Sequence, residues 1–294
     1  MIDILERKKE FMNTLITFKV IRETESTVDL LNSIEEGFGE FDRIVKKFTR
    51  FNENSELSNL NRQGGNWVKV SGEFFFLIEK MLEVANKSNG AFDPTVVDYL
   101  EVYGYDKNYD FSRLDNPKKL NALVEKITKR RKSWKEIKLD KDNLRVKLAE
   151  GQKIDLGGIG KGYAIDLAFK HLSEVAKNFL IDAGGDIRVK GKNQNNEVWK
   201  IDLMTKDKKG KFRNIGVVEL EDGRAIASSG SWARRVKQFH HLINPKTGKP
   251  VEKKYSTVYV EAENALTADA WATALFVNPK INIENLNIKV LFDE

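Results

Sequence analysis

The sequence contains no cysteine, and this absence excludes three kinds of chemistry. Disulfide bonds, thiolate nucleophiles and cysteine-ligated zinc all require a residue that the chain does not have. No stretch approaches the roughly 18 consecutive apolar residues of a membrane-spanning helix. Residues 1–7 lack the basic and then apolar order of a secretory signal, so we expect a cytoplasmic protein. An exported, membrane-anchored protein is the alternative if a leader was trimmed.

The chain also lacks any segment rich in proline, glycine or serine that would separate two domains, and it has no internal repeat. We therefore expect a single domain over residues 1–294. Charged residues are interspersed among apolar ones, which favours a folded chain over a disordered one. The net charge of +6 is compatible with an anionic ligand, nucleic acid or a membrane surface. A solvated, lysine-rich surface is the simpler explanation.

The spacing of hydrophobic residues predicts helices mainly in the first half of the chain and strands in the second. Apolar residues recur every three or four positions from residue 26 to 48 and from about 73 to 87, as on the buried face of a helix. We expect a helical surface insertion at 106–131 and further helices after Lys161 and near Ala268. Short alternating segments predict strands at residues 14–21, 136–139, 145–148, 179–181, 187–190, 199–203, 216–220 and 256–260. The expected fold class is α+β, with a mixed, mainly antiparallel sheet and flanking helices.

A glycine-rich segment, IDLGGIGKGYAID, occupies residues 154–166 between a short strand and a helix. Glycines let the backbone approach a ligand closely, and free amides at a helix start favour phosphate. The segment lacks the lysine-serine or lysine-threonine pair of a P-loop, and its glycine spacing differs from the dinucleotide-binding fingerprint. On glycine content alone, a tight structural turn explains the segment as well as an anion site does.

Asp269 and Thr273 are four positions apart, so on a helix they lie on one face, one turn from each other. A carboxylate and a hydroxyl are hard oxygen ligands of the type that Mg²⁺ prefers. The alternative is that Asp269 only complements the dipole at the helix start. His241 precedes an apolar pair and a turn, and a positioned imidazole there could act as a general base. A structural histidine is the alternative.

Other polar segments allow ordinary structural interpretations when each is taken alone. Residues 180–188, with Gly184 and Gly185 at their centre, are typical of a β-hairpin. The asparagine-rich residues 51–61 are typical of a solvated loop, and Asp93-Pro94-Thr95 of a turn.

Taken together and in order, these segments resemble the ApbE-like family, the FAD:protein FMN transferases. The matching segments are SELSNLN (55–61), GAFDPT (90–95), DLGGIGKGYA (155–164), AGGDIR (183–188), SSG (228–230), HLINPKTGKP (241–250) and ADAWATA (268–274). They span most of the chain. The resemblance implies an ApbE-like, T-fold-like architecture. Asn13, Ser228 and Asn244 depart from the family's usual glycine, threonine and aspartate, but none of them is a proposed metal ligand.

The resemblance implies a role for each of these segments in Mg²⁺-dependent chemistry on FAD. Asp269, Thr273 and the carbonyl of Gly160 are expected to hold Mg²⁺ against the pyrophosphate, and His241 to assist attack by a hydroxyl. Lys161 is expected to add positive charge at the phosphates. The flavin and adenosine pocket is expected to include Ser55, Asn61, Asp93, Thr95, Asp182, Gly184, Gly185, Asp186 and Ser229.

The implied reaction moves FMN from FAD to a Ser or Thr hydroxyl of an acceptor protein, a subunit of a flavin-dependent electron-transfer complex. One alternative uses the same site, with water replacing the hydroxyl, and hydrolyses FAD to FMN and AMP. Another is an FAD-binding protein without turnover. We expect no nucleic-acid partner, because the aromatic residues follow core periodicity and form no basic, base-stacking strip.

Overall fold

The architecture is a seven-stranded antiparallel sheet with helices on one face and a two-stranded ribbon on the other. The computed structural model describes residues 3–206, 210–232, 234–252 and 255–293. In chain order the elements are β1 (Asp3–Phe11), β2 (Thr14–Arg22), α1 (Thr27–Phe48), α2 (Glu56–Arg62), β3 (Trp67–Lys69), α3 (Gly72–Lys87), α4 (Val97–Val102), a 3₁₀ turn (Ser112–Asp115), α5 (Pro117–Arg130), a second 3₁₀ turn (Trp134–Glu136), β4 (Lys138–Asp140), β5 (Arg145–Lys147), α6 (Gly160–Val175), β6 (Phe179–Ala183), β7 (Ile187–Lys190), β8 (Trp199–Lys206), β9 (Phe212–Leu220), β10 (Ala225–Gly230), β11 (Thr257–Ala262), α7 (Ala265–Val277) and β12 (Lys289–Phe292).

The main sheet has the strand order β1-β2-β6-β7-β10-β11-β12, and each neighbouring pair is antiparallel. A three-stranded sheet has the order β3-β5-β4, and β8 pairs with β9. The expected α+β class, with a mainly antiparallel sheet and flanking helices, is therefore confirmed. In the described parts of the chain, no helix is long and apolar enough to cross a membrane.

Both faces of the inner part of the main sheet are buried, which explains why β11 is buried at all six positions. On the helix side, Ile16, Phe18 and Val20 of β2 belong to the large core that includes α1, α6 and α7. On the opposite side, Trp199 and Ile201 of β8 belong to a second core. Each such side chain removed from water contributes roughly 1.5–3 kcal/mol.

Several elements differ from the sequence-based expectations. Residues 51–61 were expected to be a loop, but α2 begins at Glu56, where Ser55 caps the helix by accepting a hydrogen bond from the Ser58 amide at 3.0 Å. The expectation was wrong because the capping serine was interpreted as loop composition. Strand β1 was not predicted, because this edge strand is mostly exposed and charged. Strands β10 and β12 were also missed.

The lysine-rich segment that was expected to be a surface insertion contains α5. One face of α5 buries Leu120, Val124 and Ile127 in a small cluster with Tyr99 and Tyr103. The opposite face carries exposed lysines. This cluster is separate from the two cores that cover the main sheet.

Candidate active site

The glycine-rich turn before α6 is the point at which the polar segments of the sequence converge. Asn61 fixes the entry to this turn, because its amide donates to the carbonyl of Ile154 and accepts from the same residue's N–H, both at 2.9 Å. The next amide, of Asp155, donates to the carbonyl of Pro94 at 2.9 Å. Two segments far apart in sequence, 55–61 and 93–95, are thus held against the turn.

Helix α7 reaches the same turn through Asp269. Its Oδ2 accepts a hydrogen bond from the amide of Gly162 at 3.0 Å, in the first turn of α6. A Cβ atom at Gly162 would lie 2.2 Å from the carbonyl oxygen of Ala265, so only glycine allows the two helices to approach this closely. The positive end of the α6 dipole therefore faces a buried carboxylate, and amides at such an end also favour phosphate.

Thr273 lies one helical turn after Asp269 on α7. Its hydroxyl oxygen is 3.3 Å from the Ser229 hydroxyl of β10. A Cβ atom at Gly158 would also lie 3.3 Å from this oxygen, so the backbone of the glycine-rich turn runs beside it. One carboxylate and one hydroxyl beside the backbone of this turn are hard oxygen donors of the kind that Mg²⁺ prefers. No cluster of three or more His, Cys, Asp or Glu side chains able to hold a metal occurs within the described residues.

Lys161 and Asp186 form an ion pair beside this donor set. Asp186 is buried, and its Oδ1 also accepts from the amide of Ser228 at 3.0 Å. Burial lowers the pKa of Lys161, while the charge of Asp269 opposes that shift. Burial likewise raises the pKa of Asp269, and the charge of Lys161 opposes it. Asp186 therefore connects three segments of the site. It pairs with Lys161 of the glycine-rich turn and accepts from the Ser228 amide of β10.

The turn between β6 and β7 contains Asp182, Gly184 and Gly185. Asp182 accepts a hydrogen bond from the amide of Gly185 at 2.7 Å. Burial raises the pKa of Asp182, and this backbone hydrogen bond partly offsets the shift. Gly184 has φ +68°, and a Cβ atom there would lie 2.1 Å from the Thr14 hydroxyl, so the turn requires glycine.

Arg131 connects Asp93 and Thr95 to the segment that follows His241. The Arg131 guanidinium pairs with Asp93, donates to the Thr95 hydroxyl at 2.7 Å and donates to the Pro245 carbonyl at 3.2 Å. Asp93 in turn accepts from the Thr95 amide at 2.8 Å. All three side chains are largely buried, so this arrangement fixes the position of the 241–250 turn.

The two adjacent histidines have different surroundings. His240 is buried, accepts from the Leu242 amide at 3.2 Å and contacts the Val251 carbonyl at 2.9 Å, and burial lowers its pKa. His241 is half-buried, and its ring packs edge-on against Tyr105 with centroids 6.3 Å apart. His240 thus has a structural position, whereas His241 remains the candidate base.

The structure also gives functions to residues that the sequence interpretation missed. Arg131 was missed because it belongs to a run of basic residues, 129–132, in which nothing distinguishes it from its neighbours. Asp166 of α6 accepts hydrogen bonds from the first two amides of α7, of Ala265 and Leu266, at 2.8 and 2.9 Å. Asp166 is the last residue of the glycine-rich segment, and this acidic residue on the helix after the turn was the available signal.

Ser55 and Asn61 both make internal hydrogen bonds here: Ser55 donates to the Thr49 carbonyl at 2.5 Å, and Asn61 holds Ile154. The predicted ligand roles of these and the other site residues stay predictions.

The fold and this site define an α+β protein in which the start of one helix, a carboxylate, a hydroxyl and a lysine lie together. The chain belongs to the ApbE family, whose model matches residues 12–289. This finding confirms the resemblance that the sequence motifs indicated.

Individual relatives agree with this assignment. The chain is 28% identical over 255 residues to the FAD:protein FMN transferase of Haemophilus influenzae, covering 81% of this chain and 71% of the relative. It is 30% identical over 244 residues to the protein of the same name from Chlamydia muridarum, covering 80% of this chain and 72% of the relative.

Among solved structures, the ApbE protein of Thermotoga maritima matches with a TM-score of 0.86 and 30% identity, over 99% of this chain and 94% of that one. The flavin transferase ApbE of Vibrio cholerae has a TM-score of 0.84 over 99% of this chain and 94% of that one. At 22% identity, the second similarity supports the fold alone.

Proposed function

We propose that this protein is a Mg²⁺-dependent FAD:protein FMN transferase that attaches FMN to a Ser or Thr hydroxyl of an acceptor protein. The observation that carries the proposal is the contact of Asp269 and Thr273 with the glycine-rich turn at the start of α6. This arrangement offers hard oxygen ligands at the positive end of the α6 dipole, which favours an anionic ligand. The relatives from Haemophilus influenzae and Chlamydia muridarum are named FAD:protein FMN transferases, which supports the transfer of FMN to a protein.

Asp269, Thr273 and the carbonyl of Gly160 would hold the metal. When bound, Mg²⁺ supplies positive charge that offsets the charge developing on the phosphoryl oxygens. Lys161 adds a second positive group. Its ion pair with Asp186 holds the ammonium beside the proposed metal ligands.

In the reaction, the acceptor hydroxyl oxygen forms a bond to the phosphorus of the FMN half. The bond between that phosphorus and the bridging oxygen breaks, and AMP leaves with the electron pair. His241 takes the hydroxyl proton, a contribution of about 10²–10⁴-fold for a well-placed base. The products are one phosphoester-linked FMN on the acceptor and one AMP. The acceptor is expected to be a subunit of a flavin-dependent electron-transfer complex.

The experiment that tests this proposal measures AMP release from FAD with and without an acceptor that carries a Ser/Thr flavinylation motif. A transferase releases AMP only when the acceptor hydroxyl is present, so an acceptor with that Ser or Thr changed to Ala should abolish release. AMP release at the same rate without acceptor would instead identify a hydrolase that uses water. Added chelator should stop either reaction.

A further inference from the structure

A buried tyrosine borders the side chain of the candidate base. Tyr105 lies in the segment that follows α4, and 5% of it is exposed. Its ring packs against the imidazole of His241, with the ring centroids 6.3 Å apart and the ring planes at 67°. Aromatic rings prefer this edge-to-face geometry to stacking directly face to face. The orientation of the imidazole therefore depends on where the tyrosine ring lies.

A second aromatic contact holds the Tyr105 ring. It packs edge-to-face against Phe111, with the centroids 5.4 Å apart and the planes at 81°. Gly104 allows this approach, because its φ is +91° and a Cβ atom there would lie 2.6 Å from the Phe111 ring and from the Asp110 carbonyl oxygen. The tyrosine ring thus has a fixed neighbour besides His241.

The polar groups of Tyr105 are fixed as well. Its hydroxyl donates to the carbonyl of Arg234 at 2.5 Å, and its amide donates to the carbonyl of Leu100 at 2.9 Å. Its carbonyl accepts from the guanidinium of Arg50, whose Nε lies 3.4 Å from the carboxylate of Asp155 in the glycine-rich turn. Because Tyr105 is held at its backbone and at the end of its side chain, its ring presents a fixed surface to His241.

These contacts make Tyr105 itself unsuitable as the base. Its hydroxyl proton is directed at a backbone carbonyl. Burial raises the pKa of Tyr105 to about 12, so the phenol stays protonated near neutral pH. His241 can act as a base only when a ring nitrogen lies within hydrogen-bond reach of the acceptor hydroxyl. An imidazole turns about two side-chain bonds unless its neighbours restrict it, and Tyr105 provides such a restriction.

Tyr103 offers a matched control on the same segment. It is 2% exposed, and burial raises its pKa to about 12 as well. Its ring packs against Phe239, with the centroids 5.5 Å apart. Replacing Tyr103 therefore removes a buried phenol ring of the same kind from a different contact.

We propose that Tyr105 is a positioning residue that orients the His241 imidazole towards the acceptor hydroxyl. The ring carries this role, and the contacts with Arg50 and Asp155 fix that ring relative to the glycine-rich turn. The inference rests on the proposed function for the role of His241, but one of its two tests needs no turnover.

The kinetic test measures kcat and the KM for FAD in Tyr105→Leu, Tyr105→Phe and Tyr103→Leu, each alone and combined with His241→Ala. Tyr105→Leu should lower kcat about 10- to 100-fold with little change in KM, because a misplaced base loses its alignment with the hydroxyl. Tyr105→Phe keeps the ring and should stay within about threefold of the wild type. In the His241→Ala protein, Tyr105→Leu should lower kcat no further, since groups that act as a unit are not additive. Tyr103→Leu should have the same effect in both backgrounds.

The second test records NMR spectra of the histidine rings in the protein without FAD or acceptor. The chain has three histidines, and His241→Ala identifies the signals of His241. Tyr105→Leu should shift and broaden these signals, because it removes the ring current of the phenol and lets the imidazole take several orientations. Tyr103→Leu and Tyr105→Phe should leave them close to their wild-type positions.

Three results would overturn this assignment. Equal losses of kcat from Tyr105→Leu with and without His241 would mean that Tyr105 only maintains the fold. A loss in Tyr105→Phe as large as that in Tyr105→Leu would assign the role to the hydroxyl. Unchanged His241 signals in Tyr105→Leu would show that the ring does not restrict the imidazole. If the NMR spectra change as expected but no FMN is transferred, the proposed function fails while the contact that orients His241 stands.

Discussion

The carboxylate of Asp269 accepts a hydrogen bond from the amide of Gly162 at the start of α6. A reciprocal contact exists, because Asp166 of α6 accepts from the first amides of α7, the helix that carries Asp269. Each helix thus places a carboxylate at the positive end of the other, which is favourable at both ends. The geometry of the proposed metal ligands therefore depends on how closely the two helices pack.

Gly162→Ala tests this close packing. The added Cβ would meet backbone atoms of Ala265 and Leu266, so the helices must separate, and we expect a loss of about 1–3 kcal/mol in the free energy of unfolding together with weaker Mg²⁺ binding. The matched control is Gly39→Ala in the exposed part of α1, where no atom lies within 4 Å of the new Cβ. That control should gain about 0.5–1 kcal/mol. Denaturant titration of both variants measures the difference, and equal stability would refute the packing argument.

Thr273→Val replaces a hydroxyl with a methyl group of similar size, and Thr273→Ser keeps the hydroxyl. We expect the valine variant to need at least about tenfold more Mg²⁺ for half-maximal activity, and the serine variant to stay close to the wild type. A Mg²⁺ titration of AMP release at saturating FAD measures this. Identical Mg²⁺ dependence in all three proteins would remove Thr273 from the ligand set.

The adjacent histidines should respond differently to substitution. His241→Ala should lower kcat by about 10²–10⁴-fold with little change in FAD affinity. His240→Ala should instead lower stability by about 1–3 kcal/mol, because the Leu242 amide loses its buried acceptor. Transfer rates and thermal unfolding of both variants separate the two roles. A full loss of turnover in a well-folded His240→Ala protein would contradict this division.

The carboxylate of Glu73 should make the free energy of unfolding decrease at acid pH. Hydrogen bonds from Arg43 lower the pKa of Glu73 to about 2, with further help from Lys47 and Tyr163. The folded-state pKa lies below the ordinary value of 4.5, so the stabilisation is present above about pH 4.5 and is lost as the pH falls towards 2. Glu73→Gln should cost about 1–2 kcal/mol at pH 7, after allowance for solvent screening, and much less near pH 2.

Urea unfolding of Glu73→Gln at several pH values measures this dependence. Glu150→Gln, a change at an exposed turn position, is the control and should follow the wild type at every pH. A cost for Glu73→Gln that does not vary between pH 7 and pH 2 would contradict the assignment to charge.

The sequence predicted the helices and strands that the spacing of neighbouring apolar residues determines. The three-to-four spacing of apolar residues predicted α1, and strand β7 was predicted with its observed bounds because its alternation is regular. Asp269 and Thr273 were singled out because their spacing alone places them on one helix face. The charged edge strand β1 has no apolar alternation from which it could be recognised.

The long-range pairings of the site could not be predicted from the chain alone. Arg131 contacts Asp93 and Pro245 across 38 and 114 positions, and nothing in the basic run around it marks it as the buried member. The Tyr105 hydroxyl donates to the carbonyl of Arg234 across 129 positions, and this contact supports a left-handed backbone. Such contacts result from the fold, whereas the resemblance to family motifs identifies residues and not their partners.

The most direct test of the central claim is the intact mass of an acceptor protein after incubation with this enzyme, FAD and Mg²⁺. We predict a mass increase of one FMN on the acceptor, and no increase with chelator, with Asp269→Ala, or when the acceptor Ser or Thr is replaced by Ala. An unmodified acceptor beside free FMN and AMP would contradict the transferase and identify a hydrolase. An unmodified acceptor beside bound, unchanged FAD would contradict both enzymes.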